Sequence, residues 1–199
     1  MTAGANATPG TACGHPEAPS PLPASNARRH DEFQTVLSLD PPSTSTGYAV
    51  LRPDATVVEA GLLRLPGKRP ALARIDAMVA DLFELFAGVA QPAVGVIEVP
   101  SGKVHRGRHG GGGAGLSVYG LAAGALREAL RRLVAPERLV SVTAEQWTRG
   151  KRKSVRTQLL GAELPAYGAV AARDGGGDVG DAIAMGRWWL EQREEVRSG

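Results

Sequence analysis

Leu37-Ser38-Leu39-Asp40-Pro41-Pro42-Ser43-Thr44-Ser45-Thr46-Gly47-Tyr48-Ala49-Val50 sets two apolar runs on either side of a turn. Thr35 to Leu39 is short, apolar and β-prone, ends at the carboxylate of Asp40, and reads as a buried strand. Pro41-Pro42-Ser43 excludes helix and forces a turn. Gly47 to Leu51 reads as the returning strand, Pro53-Asp54 as a second turn and Thr56 to Leu63 as a third strand. The connections are too short for a crossover, so the three strands form an antiparallel meander.

Beyond the meander the period changes. Leu72, Ile75, Val79, Leu82 and Phe86 recur at helical spacing over about Pro70 to Phe86. Ala93 to Val99 reads as a fourth strand with Glu98 near its end, and Pro100 stops it. Residues 101–115 form a basic, Gly-rich loop, long for a connection inside one domain. A second helix is expected over Leu116 to Leu133, with Tyr119, Ala122, Leu126, Leu130 and Leu133 on one stripe. A fifth strand follows over Arg138 to Val142, then a short helix over Ser154 to Leu160 and a final helix from Asp178 to about Glu194. The order βββαβαβαα predicts an α/β fold: a mixed five-stranded sheet, the three-strand antiparallel meander plus parallel strands, flanked by helices.

Residues 1–33 are rich in Pro, Ala and Ser, hold five of the 14 prolines and lack apolar periodicity. Such a segment cannot offset its ordering entropy by burial, so a disordered tail is expected ahead of one domain over 34–199. One cysteine, Cys13, excludes an intramolecular disulfide and any cysteine-based zinc site. No stretch approaches the roughly 18 apolar residues of a membrane span. No charged-then-apolar leader opens the chain, and a cytoplasmic protein is expected.

The net charge of +3 is unevenly spread. Ser101 to Arg156 carries 12 Lys and Arg against three Glu, a local balance of +9, leaving 11 Lys and Arg against 17 Asp and Glu, or −6, elsewhere. A basic middle beside acidic flanks favours a polyanion-binding surface near an acidic site over a set of solvated arginines.

Four acids stand where a solvated surface explains them poorly. Asp40 ends a buried strand at the sheet rim, where open α/β folds place ligands, although Asp also starts turns. Glu98 lies in Val94-Gly-Val-Ile-Glu-Val99, and within such a strand it needs a partner, a metal or an edge facing water. Asp178 and Asp181 stand three apart in Gly177-Asp-Val-Gly-Asp-Ala182 and share a helix face, although helix capping would account for one of them. Converging carboxylates repel unless cations neutralise them, and hard oxygen donors suit Mg²⁺ or Mn²⁺. Two such ions about 4 Å apart can activate a water and stabilise the leaving oxygen of a phosphodiester. His105 and His109 lie on the flexible Gly-rich loop, a poor ligand platform.

These residues carry a resemblance. Leu37 to Val50 resembles the first hairpin of the RuvC family of Holliday junction resolvases, in which an Asp-Pro-Gly-x-x-x-x-Gly-Tyr/Trp-Gly pattern holds the first catalytic Asp. Val96-Ile-Glu-Val-Pro100 is similar to that family's catalytic Glu strand, and Asp178-Val-Gly-Asp-Ala-Ile-Ala-Met185 to its final Asp-x-x-Asp-Ala-Leu-Ala helix. Thr143 to Leu160 resembles its basic segment. The likeness spans about Val36 to Leu190 in the family's order and is closest in style to diverged, phage-type members. Pro42 stands where the family has Gly; the Gly-rich loop and the N-terminal tail are additions.

The resemblance implies a ribonuclease-H-like fold and a metal-dependent endodeoxyribonuclease that resolves four-way junctions by paired cuts. Asp40, Glu98, Asp178 and Asp181 are then the catalytic and metal-binding residues, holding two Mg²⁺ or Mn²⁺ ions. It implies a homodimer built largely through the 116–133 helix, and basic residues on DNA phosphates: Lys103, Arg106, Arg108, Arg149, Lys151, Arg152 and Lys153. A residue among Lys151 to Lys153 is expected near the metals. Rival readings are a nuclease acting on flaps, forks or RNA–DNA hybrids, a non-catalytic branched-DNA-binding protein, and a nucleotide-binding protein.

Overall fold

The computed structural model describes residues 35–41, 45–63, 69–87, 90–101, 112–164, 167, 174 and 177–198. The expectations for the tail, for the boundary at residues 33 and 34 and for most of the 101–115 loop lie outside them.

Five strands form one sheet: β1 (Val36–Asp40), β2 (Thr46–Leu51), β3 (Val57–Leu63), β4 (Val94–Glu98) and β5 (Leu139–Val142). Their order is β3-β2-β1-β4-β5. β1 pairs antiparallel with β2 and β2 with β3, while β4 lies parallel to both β1 and β5. This is the mixed sheet expected from a hairpin meander followed by helical crossovers.

Among the described residues five α-helices flank it: α1 (Ala71–Leu85), α2 (Gly112–Leu133), α3 (Ala144–Thr148), α4 (Lys153–Glu163) and α5 (Asp178–Ser198). The order of the described elements departs from βββαβαβαα by the short helix α3, over residues that carry no element in the sequence reading, and by a 3-10 turn over Pro136–Arg138. The signal for α3 was present: Thr143 and Gln146 form a capping box, with Gln146 Oε1 accepting from the Thr143 N–H at 2.7 Å. α2 also starts four residues earlier than the apolar stripe indicates, since glycines carry no periodicity.

Strand alternation divides the core into two layers. Leu37, Leu39 and Ile97 point to one face and pack with Ile75, Met78 and Leu82 of α1 and Leu126 and Leu130 of α2. Val36, Val94 and Val96 point to the other and pack with Trp147, Leu160, Val179 and Ile183 of α3, α4 and α5. Full burial of a Leu or Ile side chain contributes roughly 1.5–3 kcal/mol, so these layers hold the sheet between its helices.

α5 approaches the sheet closely because small residues face it. A Cβ on Gly47 of β2 would collide with the main-chain carbonyl of Asp178. Ser38 donates its hydroxyl to the Ala182 carbonyl at 2.7 Å, fixing the start of α5 beside β1.

Candidate active site

Period-2 alternation sends Val36, Ser38 and Asp40 to one face of β1, and Val94, Val96 and Glu98 to the same face of β4. The parallel register pairs Ser38 with Val96 and Leu39 with Ile97, so one further step brings Asp40 alongside Glu98. α5 packs on that face with Asp178 and Asp181 in its first turn. All four acids line one cavity of about 350 Å³ at the carboxyl ends of β1 and β4, together with Lys153 and Arg156 of α4.

Asp40 is 8% exposed, and among the described residues none donates a hydrogen bond to it. Burial, then the nearby charges of Glu98 and Asp181, hold its pKa well above the ordinary carboxylate value. Glu98 is also shifted upward, by burial, against two hydrogen bonds that favour its charged form. Those bonds come from the Tyr119 hydroxyl to Oε1 at 3.0 Å and the Trp147 indole N–H to Oε2 at 2.7 Å.

The helix carboxylates are held by cations. Lys153 Nζ lies 3.0 Å from Asp178 Oδ1 and 3.1 Å from Asp181 Oδ2. Arg156 donates to Asp181 Oδ1 from Nε at 3.0 Å and from Nη2 at 2.8 Å, and Nη2 also lies 2.9 Å from Oδ2. Ser45 donates to Asp178 Oδ2 at 2.9 Å. Burial opposes the charge on Lys153, but Asp181, Asp178 and Asp40 outweigh it, so its pKa is raised.

Capping does not explain Asp178 or Asp181. Asp174 does that work: its carboxylate accepts from the backbone N–H of Asp178 and Val179 at 2.9 Å each and from Gly180 at 3.3 Å, and from the Tyr167 hydroxyl at 3.2 Å. Both acids of the first turn are therefore free to face the cavity.

Four carboxylates face two cations, which leaves two excess negative charges when all are ionised. That donor set fits hard divalent cations. Among the described residues no three His, Cys, Asp or Glu side chains stand close enough to hold an ion as they are. Asp181 already receives Arg156 and Lys153, so uptake of a cation requires one of them to give way.

The basic residues expected on DNA part company. Lys153 lines the cavity, with its side chain 41% exposed. Arg149 closes α3 in a left-handed conformation (φ 49°) and faces Glu191 at 3.9 Å, both well exposed. Lys151 and Arg152 lie between α3 and α4, and both are exposed. Lys103, Arg106 and Arg108, with His105 and His109, lie outside the described residues. The sequence reading missed Asp174, Trp147 and Arg156, and placed Tyr119 only on an apolar stripe. Arg156 stands three residues after Lys153 on one helix face, a spacing that was legible.

No protein-family model and no curated protein matches the chain. Solved structures do. The Thermus thermophilus RuvC structure aligns at 16% identity over 81% of this chain and 96% of that one, with a TM-score of 0.50. The yeast mitochondrial Holliday junction resolvase Ydc2 aligns at 14% identity over 83% of each chain, with a TM-score of 0.51. The chain thus has the ribonuclease-H-like fold of the RuvC-type resolvases.

Proposed function

We propose that this protein is a divalent-metal-dependent endonuclease that cuts four-way DNA junctions, acting in the cytoplasm as a homodimer. The observation that carries this reading is the meeting of Asp40, Glu98, Asp178 and Asp181 in one cavity at the sheet edge. Binding a polyanion would not need four carboxylates; hydrolysing one with metal assistance would. The structural likeness to Ydc2, described as a Holliday junction resolvase, supports the substrate class.

In this reading Asp40, Glu98, Asp178 and Asp181 hold two Mg²⁺ or Mn²⁺ ions. Bound there, such ions would supply charge neutralisation at the phosphodiester and a lowered pKa for water. The chain itself supplies positioning. Tyr119 and Trp147 orient Glu98, Asp174 holds the first turn of α5, and Lys153 brings a cationic head beside the scissile phosphate. Arg149, Lys151 and Arg152, with the loop residues Lys103, Arg106 and Arg108, contact DNA phosphates; these contacts position the substrate without reading its sequence.

The apolar stripe of α2 is consumed by this chain's own core, since Ala122, Leu126, Leu130 and Leu133 are buried in it. A dimer through this helix therefore uses the opposite face, where Leu121 is 55% exposed.

The test is cleavage of a labelled four-way junction, a matching linear duplex, a flap and an RNA–DNA hybrid, each with Mg²⁺, Mn²⁺ and EDTA. Paired, metal-dependent nicks confined to the junction are expected. Cutting of flaps or hybrids instead would move the activity to another nuclease of the same fold, and no cutting of any substrate would overturn the nuclease reading.

A further inference from the structure

Trp147 touches both halves of the carboxylate cavity. Its indole N–H meets Glu98 Oε2 at 2.7 Å, and the Arg156 guanidinium lies over its ring, 4.7 Å from the centroid. Arg156 in turn grips both oxygens of Asp181 through Nη2, at 2.8 and 2.9 Å. One side chain thus links a strand carboxylate to a helix carboxylate.

Core filling alone does not account for this arrangement. Trp147 is 5% exposed and packs with Val142 and Leu160, a place that an aliphatic or phenyl side chain could fill. An indole has one donor, and here it is directed at a carboxylate. The flat ring also restricts the guanidinium plane, while the Lys151 carbonyl takes Arg156 Nη1 at 2.6 Å. With one face and one corner fixed, Arg156 presents Nε and Nη2 to Asp181. Loss of a partner that orients a metal ligand typically costs about ten- to a hundredfold in metal affinity.

We propose that Trp147 is a positioning residue, setting Glu98 through its N–H and Asp181 through Arg156 so that the two can share in binding a divalent cation. This rests on the metal-dependent reading above. Its substitution separates the two arms: Trp147→Phe keeps an aromatic face for Arg156 and removes the N–H, whereas Trp147→Leu removes both.

The experiment is calorimetric titration of the full chain with Mn²⁺ alone, without DNA. Trp147→Phe is expected to weaken binding about tenfold and Trp147→Leu further. In a Glu98→Gln background the Phe substitution is expected to add little, because its route runs through the Glu98 charge. Equal weakening in both backgrounds, or unchanged affinity, would overturn the role of Trp147 alone. Wild-type protein that takes up no Mn²⁺ would overturn the metal-dependent reading and this role together. Should the Trp147 variants fail to fold, the indole N–H resonances of protein that keeps Trp147 give the answer. One of the three tryptophan signals should move on Glu98→Gln substitution and again on saturation with Mg²⁺; a signal that responds to the substitution but not to Mg²⁺ would overturn the proposal.

Discussion

The Asp174 carboxylate accepts the backbone N–H of Asp178 at 2.9 Å, so one buried acid outside the cavity frees another to face it. A helix start leaves its first N–H groups without partners, and the side chain of the residue at the N-cap commonly accepts from them. Here three of those groups converge on Asp174. Asp174→Ala should therefore cost about 1–2 kcal/mol of stability. In a domain of this size that corresponds to a drop in Tm of several degrees. Cleavage should fall as well, because Asp178 and Asp181 lose their fixed backbone. A calorimetric scan together with a junction-cleavage rate checks both; an unchanged rate in a destabilised protein would show that the first turn is held by other means.

Asp40→Asn should abolish cleavage while leaving junction binding intact, and it should also change the pH dependence of stability. The folded-state pKa of Asp40 is raised above its ordinary 3.8 by burial and like charge. The neutral carboxyl therefore favours the fold at low pH, and that contribution is lost as pH rises from 3.8 through the raised value. Glu98 shifts in the same direction. In EDTA, Asp40→Asn and wild type should melt alike at the acidic end of this window. The variant should gain on wild type as pH rises, by a few degrees for a gain of order 1 kcal/mol. A gap that shrinks with rising pH would contradict the assignment.

Gly47→Ala tests the close approach of β2 to α5. The new Cβ would meet the Asp178 carbonyl, which is backbone and cannot rotate away. Overpacking of this kind costs about 1–3 kcal/mol. It would also push Asp178 out of place, so activity should fall beyond the effect on stability. Gly161→Ala in α4 is the control: its Cβ would meet nothing within 4 Å, and helix propensity predicts a small gain in Tm.

Lys153 and Lys151 should behave differently. Lys153 pairs with two cavity carboxylates, so Lys153→Met should lower turnover at saturating junction. Lys151 is exposed outside the cavity, so Lys151→Ala should weaken junction binding and flatten its salt dependence while sparing turnover. Single-turnover rates and binding isotherms at two salt concentrations separate the two; a matching loss of turnover in both would erase the distinction.

If the protein dimerises through α2 as proposed, Leu121→Asp should shift it towards monomer without lowering Tm by more than a degree or so, because this side chain is exposed on α2. Sedimentation at several concentrations reads the shift. A dimer of unchanged affinity would move the interface off this face.

The carboxylates were legible because their placement is local. Alternation with period 2 gives Asp40 and Glu98 one face of their strands, and a spacing of three gives Asp178 and Asp181 one face of a helix, whatever else the chain does. The meander, the crossovers and hence the sheet order follow from connection lengths in the same way. Which side chains hold those acids was not local. Glu98 is bound by residues 21 and 49 positions away, and Asp181 by one 25 positions away. Nothing in a short window distinguishes Trp147 from any other core indole, or Tyr119 from its apolar stripe. Asp174 was hidden because it caps from four to six residues ahead of the N–H groups it receives, outside the usual spacing. The sequence by itself determined the fold and the acids; tertiary packing alone decided their partners, because hydrogen bonds across such separations form only once two layers of helices have closed on the sheet.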